Sequence, residues 1–277
     1  MLAKLFKYDW KFFWKVPAVI NLFLLIITFI GAVSLVSPLW KLEYEIIDAL
    51  MVAAVMFYYL AIFAGSIAVC VYIAMRYYKN VYTDEGYLTH TLPVAPRDII
   101  LSKMFVGAIW NFITGIVIFI SVLVIMFAAF KGFGADPGFA EIFSGRIFSE
   151  VISEIETELN MSIFTLIIFV LIYMIVSTFF SILMIYSSIS LGQLFSKHKV
   201  AGAIIWYIAE YVIIQIGSSI IMNIPLLGLL SEPYVAAGAV GTIVKSFLIG
   251  FIVLTLIGGV VLYFITEYMM KKKLNLD

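Results

Sequence analysis

The sequence predicts an all-α integral membrane protein with six transmembrane helices, and three observations carry that expectation. Hydrophobic residues make up 64% and charged residues 12% of the 277-residue chain, whereas soluble domains carry about 25% charge. Six apolar runs each reach the length of helix, about 20 residues, that a hydrocarbon core requires. Charge collects between those runs, so its placement along the chain, and not the net charge of zero, carries the information. The single cysteine, Cys70, sits inside an apolar run; it excludes an intramolecular disulfide framework and reads as an inert thiol.

The first fifteen residues place Lys4, Lys7, Lys11 and Lys15 at spacings of three, four and four. At about 100° per residue these lysines form one narrow helical stripe, with Leu2, Phe6 and Phe13 pointing the other way and Trp10 and Trp14 flanking them. The pattern predicts an interfacial amphipathic helix over residues 1–16, its lysines toward lipid headgroups and its rings at the acyl boundary. Asp9 falls on the apolar side of that helix. Pro17 is expected to end or bend it and so make an elbow into the first span. A signal peptide also begins with lysines, but its apolar core runs about 7–15 residues. The run Ala18 to Trp40 is longer and has no convincing cleavage site, so it is expected to remain as a span.

The other expected spans are Ala49 to Met75, Met104 to Phe130, Ser162 to Leu191, Val200 to Met222 and Thr242 to Glu267. An even number of spans puts both termini on one side. With that side inside, the inner segments hold Lys4, Lys7, Lys11, Lys15, Arg76, Lys79, Arg97, Lys103, Lys197, Lys199, Lys271, Lys272 and Lys273. The outer segments hold only Lys41, Lys131, Arg146 and Lys245. The positive-inside bias therefore predicts cytoplasmic termini.

Residues 131–161 form the expected extracellular loop: a Gly/Pro-rich turn region, then an amphipathic helix. Ile147, Val151, Ile155 and Leu159 recur every four residues beside an acidic row of Glu150, Glu154 and Glu158. Such a row is ordinarily a solvated helix face; a lid or an attractor for a cationic substrate is the functional reading. Residues 223–241, nearly uncharged and broken by Pro225, Gly228 and Pro233, predict a re-entrant segment that dips into the outer leaflet.

No G-x-x-x-x-G-K-[ST] phosphate loop, H-E-x-x-H pair or G-x-S-x-G elbow occurs in the chain. An enzyme and a metal site are therefore not expected, and nothing suggests a nucleic-acid partner. Within the spans the plain charged residue is Glu210, about ten residues into the fifth, where an ionised carboxylate is costly unless paired or wet. Gln215 and Asn111 are further polar candidates. Glu210 reads equally as a lining of a translocation path and as an interhelical hydrogen-bonding group; Asn21, Ser187, Ser188 and Ser190 read as helix-packing residues.

The most charged stretch is Arg76 to Lys103, with four basic and three acidic residues between two apolar runs. Thr83 followed by Asp84 and Glu85 is a helix-start signal, a capping hydroxyl and then carboxylates at the positive end of the dipole. About two turns follow before Pro93, with Leu88 and Leu92 on one face and Tyr87 and Thr91 in the next row. A second start has Pro96 in its first turn, then Arg97 and Asp98. A short helix wedged between two spans suits a groove on a partner; the plainer alternative is a helical hairpin packed on its own membrane domain.

Glu85, Gly86, Leu88, Leu92-Pro93-Val94, Arg97, Ile99 and Lys103 follow a pattern that resembles the permease subunits of ABC-2 type transporters. Gly86 to Pro93 is shorter than the common form, and Thr89 stands where an acidic residue often follows the leucine. The amphipathic N-terminal helix, six spans and a re-entrant segment before the last span are similar to that family too. The resemblance implies one permease domain over residues 1–277, with a cytoplasmic coupling helix in 76–103 built on Asp84, Glu85, Gly86, Tyr87, Leu88, Thr91, Leu92, Pro93 and Arg97. It implies two separate ATPase subunits, with ATP and Mg bound there and no cofactor on this chain. It also implies a second permease copy, a bacterial plasma membrane and export of a hydrophobic or amphipathic peptide or drug-like substrate.

Two other readings stay open. An ion-coupled secondary transporter or channel would use Glu210 as its proton or ion site, although a single carboxylate is sparse for that task. A membrane-anchored sensor or immunity protein would bind a peptide through the acidic outer helix without moving it.

Overall fold

The computed structural model describes residues 2–37, 45–91, 93–132, 145–230 and 239–272. Among the described residues the regular structure is entirely helical: α1 Leu2–Phe13, α2 Lys15–Val36, α3 Glu45–Tyr82, α4 Asp84–Thr91, α5 Pro96–Gly132, α6 Gly145–Leu159, α7 Ile163–Gly192, α8 Lys199–Leu230 and α9 Ala239–Lys272. Six of these, α2, α3, α5, α7, α8 and α9, are long and apolar enough to cross a membrane. Their surfaces expose many large apolar side chains, Phe29, Phe57, Phe63, Ile213 and Phe264 among them. That is the expected state of helices whose solvent is lipid, since burial in protein and burial in acyl chains are nearly equivalent for them.

The chain divides into two compact units. One comprises Lys7–Met75 and Ile109–Phe148, the other Met1–Phe6, Arg76–Ala108 and Ser149–Asp277.

In the first unit the break between α1 and α2 falls at Trp14, not at Pro17. Trp14 keeps helical dihedrals (φ −58°, ψ −31°), and its N–H still donates to the Trp10 carbonyl at 3.2 Å. Pro17 is the third residue of α2, where a missing N–H costs nothing because the first-turn donors have no intrahelical acceptor. Beyond it, Asn21 donates to Thr114 Oγ1 at 3.1 Å and Thr28 to Ser121 Oγ at 2.9 Å. Both pairs are 93 residues apart in sequence, so α2 and α5 run parallel, joined by two bonds one heptad apart. Leu35, Tyr58, Ile125 and Ala128 close the apolar core at the far end.

The second unit is built on α7, α8 and α9. The α7–α8 turn depends on Gly192: a Cβ there would lie 2.6 Å from the Ala203 nitrogen and 2.8 Å from the Lys199 carbonyl oxygen. The α6–α7 junction is tied by Glu156, whose Oε1 accepts the Ile163 N–H at 2.8 Å, with Ser162 accepting from Phe164 as a cap for α7. Lys245 of α9 donates to the Asn160 carbonyl at 2.8 Å, and Asn160 is in the left-handed region (φ 43°).

The inward face of α6 is rotated from the expected one. Ile152, Ile155, Glu156 and Leu159 are half-buried while Val151 is exposed, because Glu156 is drawn inward as a cap. The acidic row holds, with Glu150, Glu154 and Glu158 exposed; the Ile147 side chain lies outside the described residues. Of the interval 223–241, residues 223–230 continue α8 through Pro225 and 239–241 begin α9; residues 231–238 lie outside the description, as does Lys273.

Candidate functional site

The loop between α3 and α5 is organised by contacts among its polar residues. Arg76 approaches Glu85 at 4.0 Å. The amide orientation of Asn80 that satisfies both neighbours has its nitrogen donating to Glu85 Oε2 and its oxygen accepting from Lys103 Nζ at 3.1 Å. One carboxylate of α4 is thus tied to α3 directly and to α5 through a buried amide. The pairs are partly solvated, so their worth lies in fixing geometry more than in stability.

The expected capping hydroxyl does not cap. Thr83 Oγ1 donates back to the Lys79 carbonyl at 2.7 Å, a local bond that threonine commonly prefers. It is the Thr83 carbonyl that starts α4, accepting the Gly86 N–H at 2.7 Å.

Glu85 reaches Arg76 and Asn80 while remaining half-solvated, Gly86 is buried, and α4 presents Tyr87 and Leu88 outward, 65% and 69% exposed. Thr91 and Pro93 are exposed as well, and so is the Arg97 side chain. The hydroxyls of Thr89 and Thr91 are occupied by the Glu85 and Leu88 carbonyls, so they stiffen the helix. Leu92 and the side chain of Asp84 lie outside the described residues. Pro96 opens α5, with the Asp98 N–H donating to the Ala95 carbonyl at 2.9 Å, as the sequence predicted.

Beneath this loop lies an aromatic floor that the sequence did not announce. The Tyr77 and Tyr186 rings stack at 3.8 Å with 9° between their planes. Tyr82 donates to Ser190 Oγ at 2.8 Å, the Tyr77 hydroxyl lies 3.3 Å from the same oxygen, and Tyr186 donates to the Lys103 carbonyl at 3.0 Å. Tyr77, Tyr82 and Tyr186 are among the most buried side chains described. The α7 terminus is thereby joined to both helices that carry α4.

One residue along α7 from Tyr186, Ser187 faces Glu210 of α8. Its hydroxyl lies 2.8 Å from Oε1 and 2.9 Å from Oε2, and the Glu210 residue is 8% exposed. A hydroxyl has one proton, so the single donor is shared between two oxygens. The α7–α8 contact therefore contains a buried polar pair.

The other polar candidates are separate from this pair. Gln215 is exposed and donates to the Tyr211 hydroxyl at 3.0 Å, one turn along α8. Asn111 belongs to the other unit, where it is half-buried and engaged. At the N-terminus Lys4, Lys7, Lys11, Lys15 and Trp14 are exposed, whereas Trp10 packs against Trp110 at 5.6 Å, an anchor on α5. Among the described residues no three His, Cys, Asp or Glu side chains converge as a metal site requires. The chain matches no known family profile, no curated protein and no solved structure.

Proposed function

We propose that the chain is the membrane-spanning permease subunit of an ATP-driven exporter of the ABC-2 type, with α4 as the coupling helix that receives work from separate ATPase subunits. The observation that carries this reading is the two-sidedness of α4. Glu85 and Gly86 are held against the spans while Tyr87 and Leu88 are turned outward. A helix fixed to its own spans and apolar on its free face has the properties of a lever, rigid on one side and adhesive on the other.

On this reading the α4 side is cytoplasmic, as the distribution of lysine and arginine supports, in a bacterial plasma membrane. The tyrosine floor passes displacement of α4 to α7, and Ser187–Glu210 passes it to α8. Along α8, Gln215, Ser219 and Asn223 stand at spacings of four on a shallow, mainly apolar cleft that Val212, Ile216 and Ile220 also line. Exposed amides in a span favour a second permease copy or a substrate path beside them, which suits a hydrophobic or amphipathic cargo that also carries hydrogen-bonding groups.

The test is purification of the tagged chain from the membranes in which it is natively expressed, followed by labelling with a photoreactive ATP analogue. Co-purification of an ATP-labelled polypeptide whose hydrolysis rises on reconstitution with the chain supports the assignment. Transport driven by an ion gradient without any ATPase would overturn it in favour of the ion-coupled reading on Glu210.

A further inference from the structure

A groove on the second unit lies between α5, α7 and α9. It is an open groove of about 430 Å³, within the range of roughly 300–1,000 Å³ that ligand sites occupy. Met104, Phe179, Leu183, Gly259 and Tyr263 line it, together with Thr255, whose hydroxyl already serves the Phe251 and Ile252 carbonyls. Its walls are otherwise aliphatic or aromatic, and they follow α9 from Thr255 to Phe264, about 13 Å at 1.5 Å per residue. An apolar channel of that length in a membrane span is shaped for a hydrocarbon chain.

The two ends of the groove differ in chemistry. At one end Glu267 and Lys271 follow Tyr263 along α9 at spacings of four, and Arg97 and Asp98 stand in the first turn of α5, about two turns before Met104. Lys271 pairs with Glu267 and Arg97 lies 3.8 Å from Asp98. Two cations and two carboxylates therefore stand beyond the mouth of an otherwise apolar site. A purely anionic headgroup would satisfy the cations and be opposed by the carboxylates, whereas a headgroup carrying both signs complements both pairs.

We propose that this groove binds a zwitterionic phospholipid of the surrounding bilayer, with one acyl chain along α9 and the headgroup at the Arg97–Asp98 and Lys271–Glu267 pairs. Phosphate meets Arg97 and Lys271, and a primary ammonium meets Asp98 and Glu267. Because α5 and α9 both contribute, an occupied groove braces the base of α5 against α9. The site shares Arg97 with the coupling loop but not Tyr87 or Leu88, the outward residues of α4.

The experiment is native mass spectrometry of the purified full-length chain with dioleoylphosphatidylethanolamine, dioleoylphosphatidylglycerol or dioleoylglycerol at equal mole fraction. The phosphatidylethanolamine is expected to be retained about tenfold more than either of the others, a difference of about 1.4 kcal/mol. A Cβ at Gly259 would meet only ordinary contacts, Leu183 at 3.7 Å and Phe180 at 3.8 Å, so Gly259→Leu should fill the groove and lower retention about tenfold. Arg97→Gln with Lys271→Gln, outside the apolar walls, should abolish the preference over dioleoylglycerol while retaining residual chain binding. Equal retention of the phosphatidylethanolamine and dioleoylglycerol by the native chain would overturn the proposal, as would a phosphatidylglycerol held as well. If Gly259→Leu does not fold, an unchanged preference in the charge variant is sufficient to overturn it.

Discussion

Ser187 of α7 offers one hydroxyl proton to the two carboxylate oxygens of Glu210 of α8, at 2.8 and 2.9 Å. Removing the hydroxyl alone leaves a buried carboxyl group without its partner, whereas removing both groups leaves two compatible apolar surfaces. Ser187→Ala is therefore expected to destabilise the chain by about 1–3 kcal/mol. The double variant Ser187→Ala with Glu210→Leu should recover most of that loss, with a coupling of roughly 0.6–1.7 kcal/mol as found for hydrogen bonds between membrane helices. Unfolding in mixed detergent micelles checks this; strictly additive effects would show that the pair is not an energetic unit.

Tyr186 supports α5 in two ways that substitution can separate. Tyr186→Phe deletes the bond to the Lys103 carbonyl and keeps the stack on Tyr77, so it should cost about 0.5–1.5 kcal/mol. Tyr186→Leu deletes both and should cost more, by about 0.5–1.5 kcal/mol for the ring pair. Equal losses in thermal unfolding would mean that the stacked rings contribute nothing beyond area.

The glycines of the spans are not equivalent. A methyl group at Gly192 meets backbone atoms of Ala203 and Lys199 at 2.6–2.8 Å, while one at Gly115 meets nothing within 4 Å. Gly192→Ala is expected to lose about 1–3 kcal/mol through overpacking, and Gly115→Ala to gain about 0.5–1 kcal/mol through a less flexible unfolded chain. Melting of the two purified variants side by side gives opposite signs if the α7–α8 turn is as tight as described.

These contrasts also mark what the sequence could and could not tell. The six spans were legible because hydropathy over about 20 residues is a property of composition that needs no knowledge of neighbours. The short helix at Asp84–Thr91 was legible from Pro93, Pro96 and the charges around it. What decided its outward face was not local. Glu85 is tied to α3 by Arg76 and Asn80, and Tyr82 finds Ser190 at a separation of 108 residues. No periodicity encodes such a pairing, so serines that read as packing residues proved to be acceptors and donors for the tyrosines and for Glu210. Trp14 and Thr83 show the complementary error, in which a correct local signal was assigned one step too strongly: a proline inside a first turn bends nothing, and a threonine has a second place to bond.

The central claim is that α4 docks an ATPase through Tyr87 and Leu88 while Glu85 serves only to hold it. The most direct measurement is the stimulation of a co-purified ATPase by reconstituted native chain, Leu88→Arg and Glu85→Gln, with proper insertion checked by thermal stability. Leu88→Arg places a charge in an apolar contact, so it should abolish co-purification and stimulation while leaving stability within about 0.5 kcal/mol, as for an exposed site. Glu85→Gln should keep the ATPase bound and weaken stimulation. Full co-purification and full stimulation with Leu88→Arg would contradict the account.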